Sequence, residues 1–127
     1  MKIIILCLFL LNFLSANLLQ EAINNAPEGS VLKLPKGVYK GSIIINKPLS
    51  IIGKEDGVII DGGGIGTVIQ ITSSYVTLKN LTITGSGNRH DLLDSAIKIN
   101  NSKQSEISNC IIKDSLFGID ITMTNNS

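Results

Sequence analysis

Arg89-His90-Asp91 and Asp94 gather the only arginine and the only histidine of the 127-residue chain beside two carboxylates. His90 is a candidate metal ligand: imidazole suits copper or zinc, and Asp91 and Asp94 have the donor type that completes such a shell. The same aspartates are the residue type of a glycoside-cleaving acid pair, which needs a defined carboxyl separation. Asp114 and Asp120 flank the next turn of chain and extend that set. Arg89, His90, Asp91 and Asp94 also have the mixed charge of a partner- or substrate-binding loop. A merely solvated loop is the fourth reading, and the spacing does not decide among the four.

Asp61-Gly62-Gly63-Gly64 invites a phosphate-loop reading. It lacks the Gly-Lys-Ser/Thr ending of such loops, and no long helix follows to present its N-terminus. Gly62, Gly63 and Gly64 are read instead as a tight corner.

The segments around these residues must hold them. In Tyr75 to Gly85, Val76 and Leu78 alternate with polar residues, then the apolar phase slips by one and continues through Leu81 and Ile83. One straight strand cannot do this, because its side chains alternate strictly between faces. Two short strands meeting at Lys79-Asn80 can, and Asn tolerates a left-handed backbone at such a corner. The pattern returns downstream, setting Ile107 against Leu78, Asn109 against Asn80, Cys110 against Leu81 and Ile112 against Ile83. Ile45, Ile71, Ile99 and Ile121 recur in the same way, once in each repeat. Their segments are short, β-branched and bounded by Gly, Asn and Ser, and so are strands. Strands repeating at such a period form a solenoid. The fold expected is all-β: a right-handed single-stranded parallel β-helix of about 3.5 coils, with Asn80 and Asn109 stacked at its corners. A β-sandwich is the alternative fold.

The stretch from Leu81 to Ile97 is markedly longer than its counterpart from Cys110 to Ile119. The surplus lies in Gly85 to Asp94, the segment that carries Arg89 and His90. Solenoids place insertions on one face as loops, and that face often binds.

Met1 to Ala16 has one lysine, an apolar run and a small-residue ending, the layout of a secretory signal peptide. Cleavage is expected after Ala16, leaving residues 17–127 as a periplasmic β-helix domain that is not an integral membrane protein. Residues 17–26 place Leu18, Leu19, Ala22, Ile23 and Ala26 at helical spacing. Such a helix would cap the open first coil. Without Lys2 the basic side chains fall from eleven to ten and balance the ten acidic ones, with no basic run and few aromatics. Nothing here points to nucleic acid. Cys110, then the only cysteine, is read as a small core hydrophobe.

The residues Leu19-Gln20-Glu21-Ala22-Ile23, Gly37-Val38-Tyr39, Ile60-Asp61-Gly62-Gly63-Gly64, Gly66-Thr67-Val68, Asp94-Ser95-Ala96-Ile97 and Leu116-Phe117-Gly118-Ile119 follow in an order that resembles the NosD family. These are periplasmic β-helix proteins of nitrous oxide reductase maturation. The earlier segments are also generic to β-helix proteins, pectin-degrading ones included. The resemblance implies a non-enzymatic accessory protein that assists copper-site assembly. Its implied partners are ABC transporter subunits, a copper chaperone and the reductase. Copper would be reached through those partners, with no cofactor of the chain's own. Family members continue through many more coils, so this chain, ending within the fourth, is expected to be an N-terminal fragment. The alternative is a secreted pectate-lyase-like protein that degrades or binds polysaccharide. A purely structural or adhesive surface fragment is the third.

Overall fold

The computed structural model describes residues 3–5 and 16–123. The rest of the expected leader, and residues 124–127, lie outside the described residues. Three parallel sheets run along a common axis. Sheet A contains β1 (Ile3–Ile5), β2 (Ser30–Leu34), β5 (Leu49–Gly53), β8 (Val76–Lys79) and β11 (Glu106–Ser108). Sheet B contains β3 (Gly37–Lys40), β6 (Val58–Asp61), β9 (Thr82–Thr84) and β12 (Ile111–Lys113). Sheet C contains β4 (Ile43–Ile45), β7 (Ile69–Ile71), β10 (Ser95–Asn100) and β13 (Phe117–Thr122). The chain visits A, B and C in turn, from β2 to β13, giving a parallel β-helix of about four coils. This is half a coil more than the sequence reading, because Ser30 to Ile45 already forms a complete three-strand turn.

The register follows the apolar period. Leu32, Ile51, Leu78 and Ile107 stack in sheet A, and Tyr39, Ile60, Ile83 and Ile112 in sheet B. Ile45, Ile71, Ile99 and Ile121 stack in sheet C. Residues of the first three coils in these columns are buried. Each such aliphatic side chain contributes roughly 1.5–3 kcal/mol by leaving water. Asn80 and Asn109 take the left-handed conformation at the A/B corner.

Helix α1 (Ala16–Asn25) packs on β3 and β4, burying Leu19 and Ile23. Its Gln20 side chain pairs with the β4 edge: Ile44 N–H donates to Oε1 at 2.7 Å, and Nε2 donates to Ile44 O at 2.9 Å. The amide thus replaces a missing strand neighbour. Lys47 Nζ donates to Asn24 O and Ala26 O at the helix C-terminus, where a cation is favoured. The edge of β2 is covered differently. Ile3–Ile5, inside the expected leader, pairs in parallel with Val31 to Lys33. No helix among the described residues is long and apolar enough to cross a membrane.

Candidate functional site

The B/C corner varies most in length from coil to coil. Residues 41–42 make the first B/C connection, 62–68 the second, 85–94 the third and 114–116 the fourth. The two long connections stack into one ridge beside sheet C. Gly64 N–H donates to Gly85 O at 2.7 Å, Gly87 N–H to Gly66 O at 2.8 Å, and Ser95 N–H to Thr67 Oγ1 at 3.2 Å. Gly63 and Gly64 have φ of 76° and 83°, values that a side chain would disfavour. The glycine run is therefore the turn of a longer loop, wider than the tight corner expected. Asp61 anchors it by accepting Gly63 N–H at 2.8 Å and pairing with Lys40 at 3.2 Å. The Gly63 hydrogen bond, helped by Lys40, holds the Asp61 carboxyl below its usual range.

The third connection carries the residues singled out from sequence; it brings Arg89 and Asp94 together and leaves His90 and Asp91 apart from them. Asp94 turns inward and is 1% exposed. Its Oδ2 accepts Arg89 N–H and Nε–H, both at 3.0 Å, and its Oδ1 accepts Nη2–H at 3.1 Å. A planar guanidinium meets a planar carboxylate along two parallel bonds, the strong geometry for such a pair. Those hydrogen bonds hold Asp94 below the usual carboxylate range and raise Arg89. Gly87 makes room for the pair: a Cβ there would lie 2.3 Å from Asp94 Oδ2.

His90 sits outside this clamp, edge-on to Phe117 with ring centroids 6.2 Å apart. Asp91 is exposed. Among the described residues no three His, Cys, Asp or Glu side chains form a group able to hold a metal. His90, Asp91 and Asp94 do not gather into the shell that the metal reading of this loop would need, because both oxygens of Asp94 face Arg89. The same engagement removes Asp94 from an acid pair with Asp91. Asp114 accepts from Thr84 Oγ1 at 3.5 Å at the foot of the ridge.

Sequence reasoning missed the sheet beside the loop. Ile44, Gln70, Lys98 and Asp120 form one row across the outer face of sheet C. Lys98 reaches up to the loop, donating from Nζ to Leu92 O at 3.0 Å. It makes no ion pair with a carboxylate among the described residues. The signal was present in the alternation Ile97-Lys98-Ile99, which places Lys98 outward. An ammonium group there can neutralise a bound carboxylate, Gln70 and Asp120 can meet hydroxyls, and Ile44 offers an apolar surface.

A concavity of about 570 Å³ lies at the A/B corner, away from sheet C. Asp56, Asn80, Leu81, Thr82, Asn109 and Ile111 are among its lining residues. It is a step: the corner of the second coil takes the whole of 54–57, whereas Asn80-Leu81 and Asn109-Cys110 suffice in the next two. Cys110 borders it with its thiol against Ser108 O at 3.4 Å, and burial pushes that thiol up, away from the reactive thiolate.

Neither a protein-family model nor a curated protein sequence matches the chain. Solved structures do. An alginate lyase from Paenibacillus sp. str. FPU-7 superposes with a TM-score of 0.68 at 22% identity, over 89% of this chain and 42% of that one. A mutant of the PL6 family alginate lyase AlyGC superposes with a TM-score of 0.59 at 20% identity, over 85% of this chain and 18% of that one. These likenesses show the fold: a pectate-lyase-like parallel β-helix. The chain spans less than half the length of either structure.

Proposed function

We propose that the chain contacts an acidic polysaccharide across the outer face of sheet C and the loop of residues 85–94, as part of a secreted or periplasmic lyase-like β-helix. The fold it has in common with two alginate lyases supports this over the NosD reading. The observation that carries it is Lys98, a cation in the middle of sheet C that makes no ion pair among the described residues and is roofed by the longest loop. A uronate carboxylate fits that ammonium, and its hydroxyls fit Gln70 and Asp120. In eliminative cleavage a base removes the proton beside the carboxylate, the glycosidic C–O bond breaks, the departing oxygen takes up a proton and a carbon–carbon double bond remains. Lys98 would neutralise the carboxylate during that step, and His90 is the loop side chain of a type that can accept the proton.

The test is incubation with alginate, following bound polymer by affinity electrophoresis and new double bonds by ultraviolet absorbance. The expected result is binding that Lys98→Ala weakens at least about tenfold, the size of one lost charge-assisted contact. Turnover would make the domain a lyase, and binding alone a recognition module. Absence of both sinks the reading.

One observation favours the accessory reading of copper-enzyme maturation. Leu92 and Leu93, 49% and 44% exposed, present an apolar pair on the same loop, and exposed apolar pairs suit protein partners. Capture of transporter or reductase subunits, lost in a Leu92→Ser/Leu93→Ser variant, would support it. No capture of those subunits by the parent would remove it.

A further inference from the structure

We infer that the A/B corner is a second contact track for the same acidic polysaccharide, on the side of the solenoid away from sheet C. The inference rests on the polysaccharide reading and extends it to a surface that reading does not use. Lys33 and Lys79 occupy one column on the outer face of sheet A, flanking the half-buried Ile52. Adjacent strands are about 4.8 Å apart, so these two lysines stand roughly 10 Å apart along the axis. Lys36 and Lys54 lie in the corners of the first and second coils, next along the chain. Lys36 lays its stem over Gly57, where a Cβ would come 3.0 Å from its Cγ. All four are exposed, and none makes an ion pair among the described residues.

The track leads from these lysines into the groove. There the Asn80 and Thr82 side chains and the exposed Asn109 amide offer hydrogen bonds, and the exposed Ile111 offers apolar surface. Glu55 and Asp56 stand at the same corner, so the surface is not uniformly basic. Alternating cations, amides and apolar patches fit a polymer that alternates carboxylates with hydroxyls and ring faces. They fit less well a densely charged polyanion such as nucleic acid, which wants an unbroken basic stripe.

The experiment compares the full chain, Lys36→Ala/Lys54→Ala/Lys79→Ala and Lys98→Ala against long alginate, a short alginate oligosaccharide, a neutral glucan and phosphatidylglycerol vesicles. The three lysines make no ion pairs among the described residues, so the triple variant is expected to keep its fold, checked by circular dichroism. Its affinity for long alginate is expected to fall about tenfold at low salt, with the difference shrinking as salt rises. Short oligosaccharide bound at sheet C is expected to be unaffected by the triple change and weakened by Lys98→Ala. If the triple variant holds long alginate as well as the parent while Lys98→Ala does not, the second track is wrong and the sheet C reading stands. If the lysines matter only for the vesicles, the surface serves a membrane and the inference falls. No alginate binding by the parent overturns both.

Discussion

Asn80 and Asn109 hold the same left-handed backbone, φ 60° and 52°, at the same corner of successive coils. Asn80 ties three coils together. Its backbone N–H donates to Ser108 O at 3.2 Å, and its side-chain Nδ2 donates to Gly53 O at 3.1 Å. Asn80→Ala loses the side-chain bond and places a non-Asn, non-Gly residue in the left-handed region. The expected cost is about 2 kcal/mol, from roughly 1 for each effect. Asn80→Gly should recover the backbone share. Urea midpoints of the three proteins check this, and equal midpoints for Ala and Gly would remove the backbone argument.

Gly53 sits beneath that corner for a different reason. A Cβ on Gly53 would lie 2.2 Å from Asn80 O, a backbone atom that cannot swing away. Gly53→Ala should therefore cost roughly 3 kcal/mol, the upper part of the usual range for overpacking. At Gly63 there is open space, and only its positive φ matters. Gly63→Ala should cost about 1 kcal/mol. Thermal unfolding of both variants separates close approach from backbone strain.

Asp94→Asn removes one charge from the Arg89 clamp. The loop of residues 85–94 should open while the strands stay intact. Tryptic cleavage after Arg89 is expected to accelerate, with the global unfolding midpoint little changed. Acid should do the same. The folded Asp94 carboxyl lies below its usual range, so its contribution is complete above about pH 4 and is lost as pH falls through the lower folded value. Loop cleavage at neutral pH that is identical in parent and variant would argue against the clamp.

These cases mark what the sequence could carry. The slip of apolar phase at Asn80, the match of Leu78 with Ile107 and the surplus at Gly85 to Asp94 are local patterns, and each corresponds to a feature of the coil. The direction of Asp94 is not local. A carboxylate just before a buried strand looks the same in sequence whether it faces solvent or Arg89. The need for Gly53 comes from Asn80, one full coil away along the chain, and no propensity at Gly53 encodes it. The row Gln70, Lys98 and Asp120 exists only once three coils are in register. The pairing of Ile3–Ile5 with β2 was hidden because an apolar run after one lysine reads first as a leader.

Tyr39 should set the alkaline limit. Its ring is buried in the first coil, its hydroxyl donates to Pro35 O at 2.7 Å, and burial pushes its pKa to about 12. A free tyrosine titrates near 10. A group whose folded pKa is raised contributes fully below the unfolded value and loses that contribution as pH climbs through the folded one. Between about pH 10 and 12 the protein should thus lose about 3 kcal/mol through this residue. Tyr39→Phe should start about 1 kcal/mol less stable at neutral pH, from the lost hydrogen bond. It should then show a flatter decline above pH 10. Parallel declines would place the alkaline transition elsewhere.

The sheet C column gives the sharpest comparison, because one residue type repeats with burial as the variable. Ile71 is fully buried between Ile45 and Ile99, while Ile121, in the fourth coil, is 63% exposed. Ile71→Ala removes the same atoms as Ile121→Ala but leaves a cavity that the flanking coils cannot close. It should cost about 2–5 kcal/mol. Ile121→Ala takes away surface that water already reaches on one side, so its cost should stay below about 1 kcal/mol. Stacked coils contact only their neighbours, so the two losses should be additive in the double variant. If Ile121→Ala proves as costly as Ile71→Ala, something covers the fourth coil in solution, and its exposed Ile119 and Phe117 would be the place to look for it.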